Sequence, residues 1–163
     1  MKYYKDIDDI DERVIIAPID EANTLEQWLK ANPNFTIEVT EAEWEEYKLP
    51  SIKAEKCLEI NERTDELIAE GFDHNEVHFD LKQEDQLNIN TLFNMMNAGI
   101  SMTGQYFRGS EEDYHFINNA DFILLVSEGN NVKTQAIESG AELKNAVNAC
   151  TTIAGVDAIE DDR

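Results

Sequence analysis

Hydrophobic positions along this chain change their period at about Pro50. Before it, apolar residues come in short pieces. Arg13-Val-Ile-Ile-Ala17 is a β-branched run ended by Pro18 and predicts a strand. Asn23 offers an N-cap with Glu26 three residues on. Leu25, Trp28 and Leu29 then share one face of a helix of about two turns, which must stop before Pro33. Phe35-Thr-Ile-Glu-Val39 alternates apolar and polar, the pattern of a half-buried strand. Thr40-x-x-Glu43 is a capping box that opens a short acidic helix carrying Trp44 and Tyr47. The resulting β-α-β-α unit buries too little to stand alone, so it is expected to dock on the rest of the chain or on a partner.

After Pro50 the elements lengthen. Residues 51–70 predict a helix with Ile52, Cys57, Ile60, Thr64, Leu67 and Ile68 on about half of its circumference, closed by Gly71. Residues 72–81 predict a hairpin. Val77, Phe79 and Leu81 take one face, His78 and Asp80 the other, and residues 73–76 form the turn. A second helix over 83–98 carries Ile89, Leu92, Phe93 and Met96 and stops at Gly99. Short strands follow over 102–108 and 114–117. A long helix is expected over 120–150, introduced by Asn118 or Asn119, although Gly129 within the 128–131 run is equally a loop signal. Thr151 or Thr152 caps a final turn through Ile159. The fold class is therefore α+β: a small N-terminal unit over residues 1–50, then a helix–hairpin–helix–two strands–long helix domain over 51–163.

The long helix carries a heptad. Phe122, Val126, Gly129, Lys133, Ala136, Gly140, Leu143 and Val147 are spaced alternately four and three apart. Small residues on such a seam let another backbone approach closely. Two readings follow: packing against the 51–70 or 83–98 helix of the same chain, or association with a second copy or a partner. With Trp44 and Tyr47, the apolar and small residues of this seam form the candidate interface.

Composition narrows the choice of partner. The chain has 163 residues, with 35 Asp+Glu against 13 Lys+Arg and a net charge of −22, while 42% hydrophobic residues suffice for a core. Such acidity argues against a nucleic-acid binder and against electrostatic docking on anionic lipid. The acid is spread along the chain. Residues 1–50 hold 13 acids and 5 bases, and residues 51–163 hold 22 and 8, so it coats both parts and acts on solubility and partner choice. No apolar run follows the N-terminal lysines, and the longest, Phe122-Ile-Leu-Leu-Val126, is too short to span a membrane. Cytoplasmic synthesis is expected, with Cys57 and Cys150 as reduced core thiols.

Candidate chemistry is sparse. His74 and His78 stand four apart among Asp73, Glu76 and Asp80, a zinc spacing on a helix; here the segment alternates like a strand and reads as a solvated polar hairpin. The acidic run from Asp6 to Glu12 fails the calcium-loop register, because Ile10 and Asp11 stand at the fifth and sixth positions. Nucleophile elbows, glycine-rich phosphate loops and Walker lysines do not occur. Cys57 lies in an amphipathic stripe and Cys150 at a helix end, neither suited to a nucleophile. No catalytic residue, metal ligand or cofactor is assigned.

From about Pro50 onward the chain resembles short bacteriophage tail-fibre and baseplate-associated proteins that carry a C-terminal domain of unassigned function. The resemblance lies in the order and spacing of Leu67-Ile-Ala-Glu-Gly71-Phe72, Val77-His-Phe-Asp-Leu81, Asp85-Gln-Leu-Asn-Ile89 leading to Gly99, and residues 143–152. The acidic Thr40-Glu-Ala-Glu-Trp-Glu-Glu-Tyr47 is similar to the leader attached to such domains. Phe107-Arg108 stands where the family often has Trp-Arg, and the 120–150 region matches loosely. The resemblance implies a virion tail component acting on other tail or fibre proteins, or a fibre-assembly chaperone, with a homo-oligomer among the expected states. It carries over no catalytic residues.

Overall fold

The computed structural model describes residues 3–6, 14–16, 30–33, 35–110 and 113–163. The fold is α+β. Strands β1 (Tyr3–Asp6), β2 (Val14–Ile16) and β3 (Phe35–Val39) form an antiparallel sheet in the order β2-β1-β3. Helix α1 (Glu41–Glu70) follows, then the hairpin β4 (Phe72–His74) and β5 (Val77–Phe79) and helix α2 (Gln83–Asn97). A second hairpin, β6 (Tyr106–Arg108) and β7 (Asp113–His115), precedes α3 (Asn119–Ala149) and the short α4 (Ile153–Asp157).

The expected order from residue 51 onward is the observed one. In the N-terminal part the structure adds a strand: β1 pairs with both neighbours, Tyr3 opposite Ile16 on one side and Val39 on the other. Residues 30–31 are helical, and the rest of the helix expected there, with Trp28, lies outside the described residues. So does the acidic run toward Glu12, apart from Asp6 in β1.

The short acidic helix and the 51–70 helix are one element. The capping box forms as expected, with Thr40 N–H donating to Glu43 Oε2 at 2.7 Å and Glu43 N–H to Thr40 Oγ1 at 3.3 Å. The Thr40 backbone and hydroxyl together hold the Glu43 carboxyl below its ordinary pKa. Helix α1 then runs through Pro50, which removes one donor and crowds the preceding turn at about 3 kcal/mol. A 30-residue helix capped at one end and anchored at the other by buried Ile60 and Ile68 absorbs that cost. The Ser51 hydroxyl donates to Lys48 O nearby at 2.8 Å.

The chain divides into two compact units, residues 1–56 with 146–163 and residues 57–145, so α1 and α3 each contribute to both. Within the second, Ile68, Phe72, Phe79, Leu81, Ile89, Met102, Phe107, Phe116, Phe122 and Leu125 form one core. Phe79 is its hub, stacked on Phe72 at 5.9 Å and edge-on to Tyr114 at 5.8 Å. In the first, Thr152 caps α4 by accepting from Gly155 N–H, and Val147 and Val156 are buried. Cys57 and Cys150 are both half-buried free thiols. No helix among the described residues is long and apolar enough to cross a membrane.

Two glycines close helices, and they differ instructively. Gly99 (φ +89°) ends α2 in a Schellman motif, with Ile100 N–H on Met95 O and Gly99 N–H on Met96 O, in open space. Gly71 (φ +85°) ends α1 pressed against the hairpin, where a Cβ would sit 1.9 Å from Phe79 O. Gly99→Ala should therefore cost only the left-handed penalty of about 1–2 kcal/mol. Gly71→Ala should cost clearly more, because backbone must also move. Urea unfolding of both variants checks the order, and equal losses would contradict it.

Candidate functional site

Hairpin geometry puts a histidine inside the protein. Phe72 pairs with Phe79, Asp73 with His78 and His74 with Val77, leaving Asn75 and Glu76 as a two-residue turn. Both have positive φ, 48° and 70°, the twist of a type I′ turn. Directly opposed residues share a face, so His74 lies on the side of Phe72 and Phe79. His74 is 1% exposed, which corrects the expectation of a solvated polar hairpin. The expected four-residue turn over 73–76 had placed it in the loop; a two-residue turn puts it in the strand. His78, on the other face, is 43% exposed.

Helix α3 meets this imidazole with two carboxylates seven residues apart, which two helical turns bring to one side. His74 Nδ1 lies 2.6 Å from Glu128 Oε2, and Nε2 lies 3.2 Å from Asp121 Oδ1. Because a carboxylate only accepts, Nδ1 donates to Glu128. Tyr114, from β7, donates to Asp121 at 3.0 Å and stacks edge-on to the His74 ring at 5.2 Å. Asn75 Nδ2 donates to Tyr114 Oη at 2.6 Å and to Asp121 Oδ1 at 3.1 Å, and Ile117 N–H donates to Asp121 Oδ2 at 3.0 Å. Asn118 caps α3 one turn before its acids converge, accepting from Ala120 and Asp121 N–H.

Burial alone would raise the Asp121 pKa, but the Ile117 N–H, the Tyr114 hydroxyl and His74 together hold it below the ordinary value of 3.8. The Tyr114 hydroxyl is pushed up, first by burial and then by donating to Asp121, against an opposing hydrogen bond from Asn75. At the outer face, His78 donates from Nδ1 to Asp73 and from Nε2 to Glu70 O, both at 2.7 Å, and these bonds raise its pKa. Chemically, the inner group ties β4, β7 and α3 together through hydrogen bonds. Its imidazole is closed off from solution in this conformation; Glu128, with its side chain 39% exposed, and Asn75 reach the surface. Among the described residues, no group of three or more His, Cys, Asp or Glu is arranged to hold a metal ion.

The heptad seam lies along the protein's own interior. Helix α3 is continuous through Gly129. Phe122, Gly129, Ala136, Gly140 and Val147 are buried, and Val126, Lys133 and Leu143 are half-buried. The small residue at 129 is explained by a close approach: a Cβ there would come 2.9 Å from the Phe72 ring. Lys133 donates to Gln86 of α2 at 2.8 Å, and Lys144 to Asn61 of α1 at 2.7 Å. These contacts are those of the same-chain reading. Elsewhere on α1, Trp44 is half-buried and Tyr47 is 36% exposed, with Lys48 Nζ 5.7 Å from its ring centroid. Asp121, Glu128, Tyr114 and Asn75 had not been singled out from sequence. The available signal was the pair of acids seven apart in an otherwise uncharged stretch of 119–132.

Removing Asp121 leaves the Tyr114 hydroxyl and Ile117 N–H without an acceptor and takes the carboxylate from beside His74 Nε2, so Asp121→Ala should cost about 3–5 kcal/mol. Glu128→Ala, at a partly solvated carboxylate, should cost less than half of that. The pH dependence has two limbs. Asp121, with its lowered pKa, contributes stability present above 3.8 and lost as pH falls through the lower folded value. His78, with its raised pKa, contributes stability present below 6.5 and lost as pH rises through the higher folded value. Urea midpoints from pH 2 to 8 should show Asp121→Ala flattening the acid limb and His78→Ala the neutral one.

No curated protein and no solved structure matches the chain significantly. The model of a family described as a domain of unknown function, DUF4376, matches residues 51–160. That match begins directly after Pro50 and takes in about two thirds of the sequence, including every residue of the His74 group, and the chain belongs to the DUF4376 family.

Proposed function

We propose that this chain is a non-enzymatic bacteriophage protein of the tail, baseplate or tail-fibre region, retained in the virion and working through protein–protein contacts. The observation that carries the non-enzymatic part is the closure of the His74 group. The best-positioned acid–base side chains in residues 57–145 are used to lock a hairpin onto α3, with the imidazole 1% exposed. A site built for turnover needs its proton-transferring atoms within hydrogen-bond reach of substrate. The assignment to the tail rests on the resemblance, whose segments at 67–72, 77–81 and 85–99 form the end of α1, the hairpin and α2. Tyr47, with half-buried Trp44 beside it on an acidic helix, suits a contact with a polar or basic partner surface.

The dispersed acid favours a second reading, a tail-fibre assembly chaperone that leaves before the particle is finished. A net charge of −22 keeps a chain soluble until it meets its partner. Mass spectrometry of purified particles of the encoding phage separates the two. The virion reading expects peptides of the chain in stoichiometric ratio to a tail or fibre protein. Their absence, with fibreless particles on deletion of the gene, would establish the chaperone instead. Normal, fully infectious particles from the deletion would overturn both.

A further inference from the structure

The outer face of α3 is poor in charge over residues 119–137. The charged residues in its first 19 positions are Asp121 and Glu128, which turn to His74, and Lys133, which donates to Gln86. What faces solvent is a second stripe, alternately four and three apart: Ile123, Ser127, Asn130, Thr134, Ile137 and Ala141, all exposed. Ile123 is 50% exposed and Ile137 49%, with Leu124 beside them at 50%. A chain of net charge −22 thus presents an uncharged strip about 21 Å long between the two isoleucines.

We infer that this strip is a self-association surface, on which α3 of a second copy packs antiparallel about a two-fold axis through Asn130. Two features select a second copy as the occupant. The strip is close to palindromic: Ile123 and Ile137 each stand seven residues from Asn130, so the two-fold sets Ile123 of one chain against Ile137 of the other. Asn130 meets Asn130, and two side-chain amides, each both donor and acceptor, satisfy one another and fix the register. Charge is the second feature. Two surfaces this acidic repel, and they meet at least cost where neither brings a carboxylate. In this pairing Glu138 falls at the level of residue 122 of the other copy, away from its own counterpart.

A single helix strip buries less than the 800 Å² or so per partner of a standard interface, so the isolated chain should associate weakly and reversibly. This inference is independent of the tail assignment. Sedimentation equilibrium of the full chain up to about 1 mM is expected to show a monomer of 18.6 kDa in exchange with a dimer of twice that mass. Ile137→Glu, at a half-exposed position that leaves the fold intact by circular dichroism, should weaken the dimer at least tenfold. A chain that stays monomeric throughout the series, or a dimer indifferent to Ile137→Glu, would overturn the proposal. Geometry is tested in a Cys57→Ser, Cys150→Ser background. Asn130→Cys should oxidise to a disulfide-linked dimer while Ile123→Cys alone should not, and the reverse result would exclude the antiparallel pairing.

Discussion

One carboxylate organises residues 57–145. Asp121 stands in the first turn of α3 with its side chain 9% exposed, ringed by His74, Asn75, Tyr114 and the Ile117 N–H. Burying a charge costs several kcal/mol unless partners replace the lost water, and here they come from the β4–β5 hairpin, β7 and the residues just before α3. The carboxylate therefore helps only when the β4–β5 turn, β7 and the start of α3 are all in place. Apolar contacts around Phe79 supply the larger share of burial energy but tolerate small slips. Hydrogen bonds to a buried anion do not, so the network sets the register of hairpin on helix.

Much of this fold was legible because local signals agreed with the final structure. The Thr40 capping box, Gly71, Gly99, Asn118 and Thr152 each stop or start a helix by satisfying orphan backbone groups, and each does so here. The failures have physical reasons. Pro50 is a genuine helix-breaking signal, overridden because a strong cap and a buried stripe flank it on one continuous helix. Strand β1 carries no alternation over its four residues and gains its place by pairing on both sides, a non-local event. Residues 102–105 fold into turns about Gly104 (φ +76°), which shortens the expected strand to Tyr106–Arg108.

The site was less legible than the fold, and His74 shows why. Its side-chain type predicts solvent, and only the phase of the hairpin predicts burial. That phase turns on whether the loop has two residues or four. Asn75-Glu76 lacks the glycine that would have marked a type I′ turn, since Glu76 takes φ 70° without the usual residue for it. A non-glycine residue held there is strained, and the hydrogen bonds of Asn75 to Tyr114 and Asp121 hold the turn in that shape. The strain and the buried histidine are thus two consequences of one local geometry. Sequence periodicity cannot see either, because both depend on a carboxylate some fifty residues away.

The three faces of α3 then read as a division of labour among residue types. Glycine at 129 on the inner seam lets the Phe72 ring approach, which a longer side chain would prevent. Acids on the flank are committed to His74, where desolvation is offset by hydrogen bonds. The outer stripe carries neither acid nor bulk polarity beyond amides and hydroxyls, in a protein with 35 carboxylic side chains. Solubility alone would favour acid there, as it does over much of the chain. A helix whose outer stripe from Ile123 to Ala141 carries no charge, while Asp121, Glu128 and Lys133 turn to partners in the same chain, is arranged for a surface that must at times lose its water. The net charge is in this way most informative where it is missing.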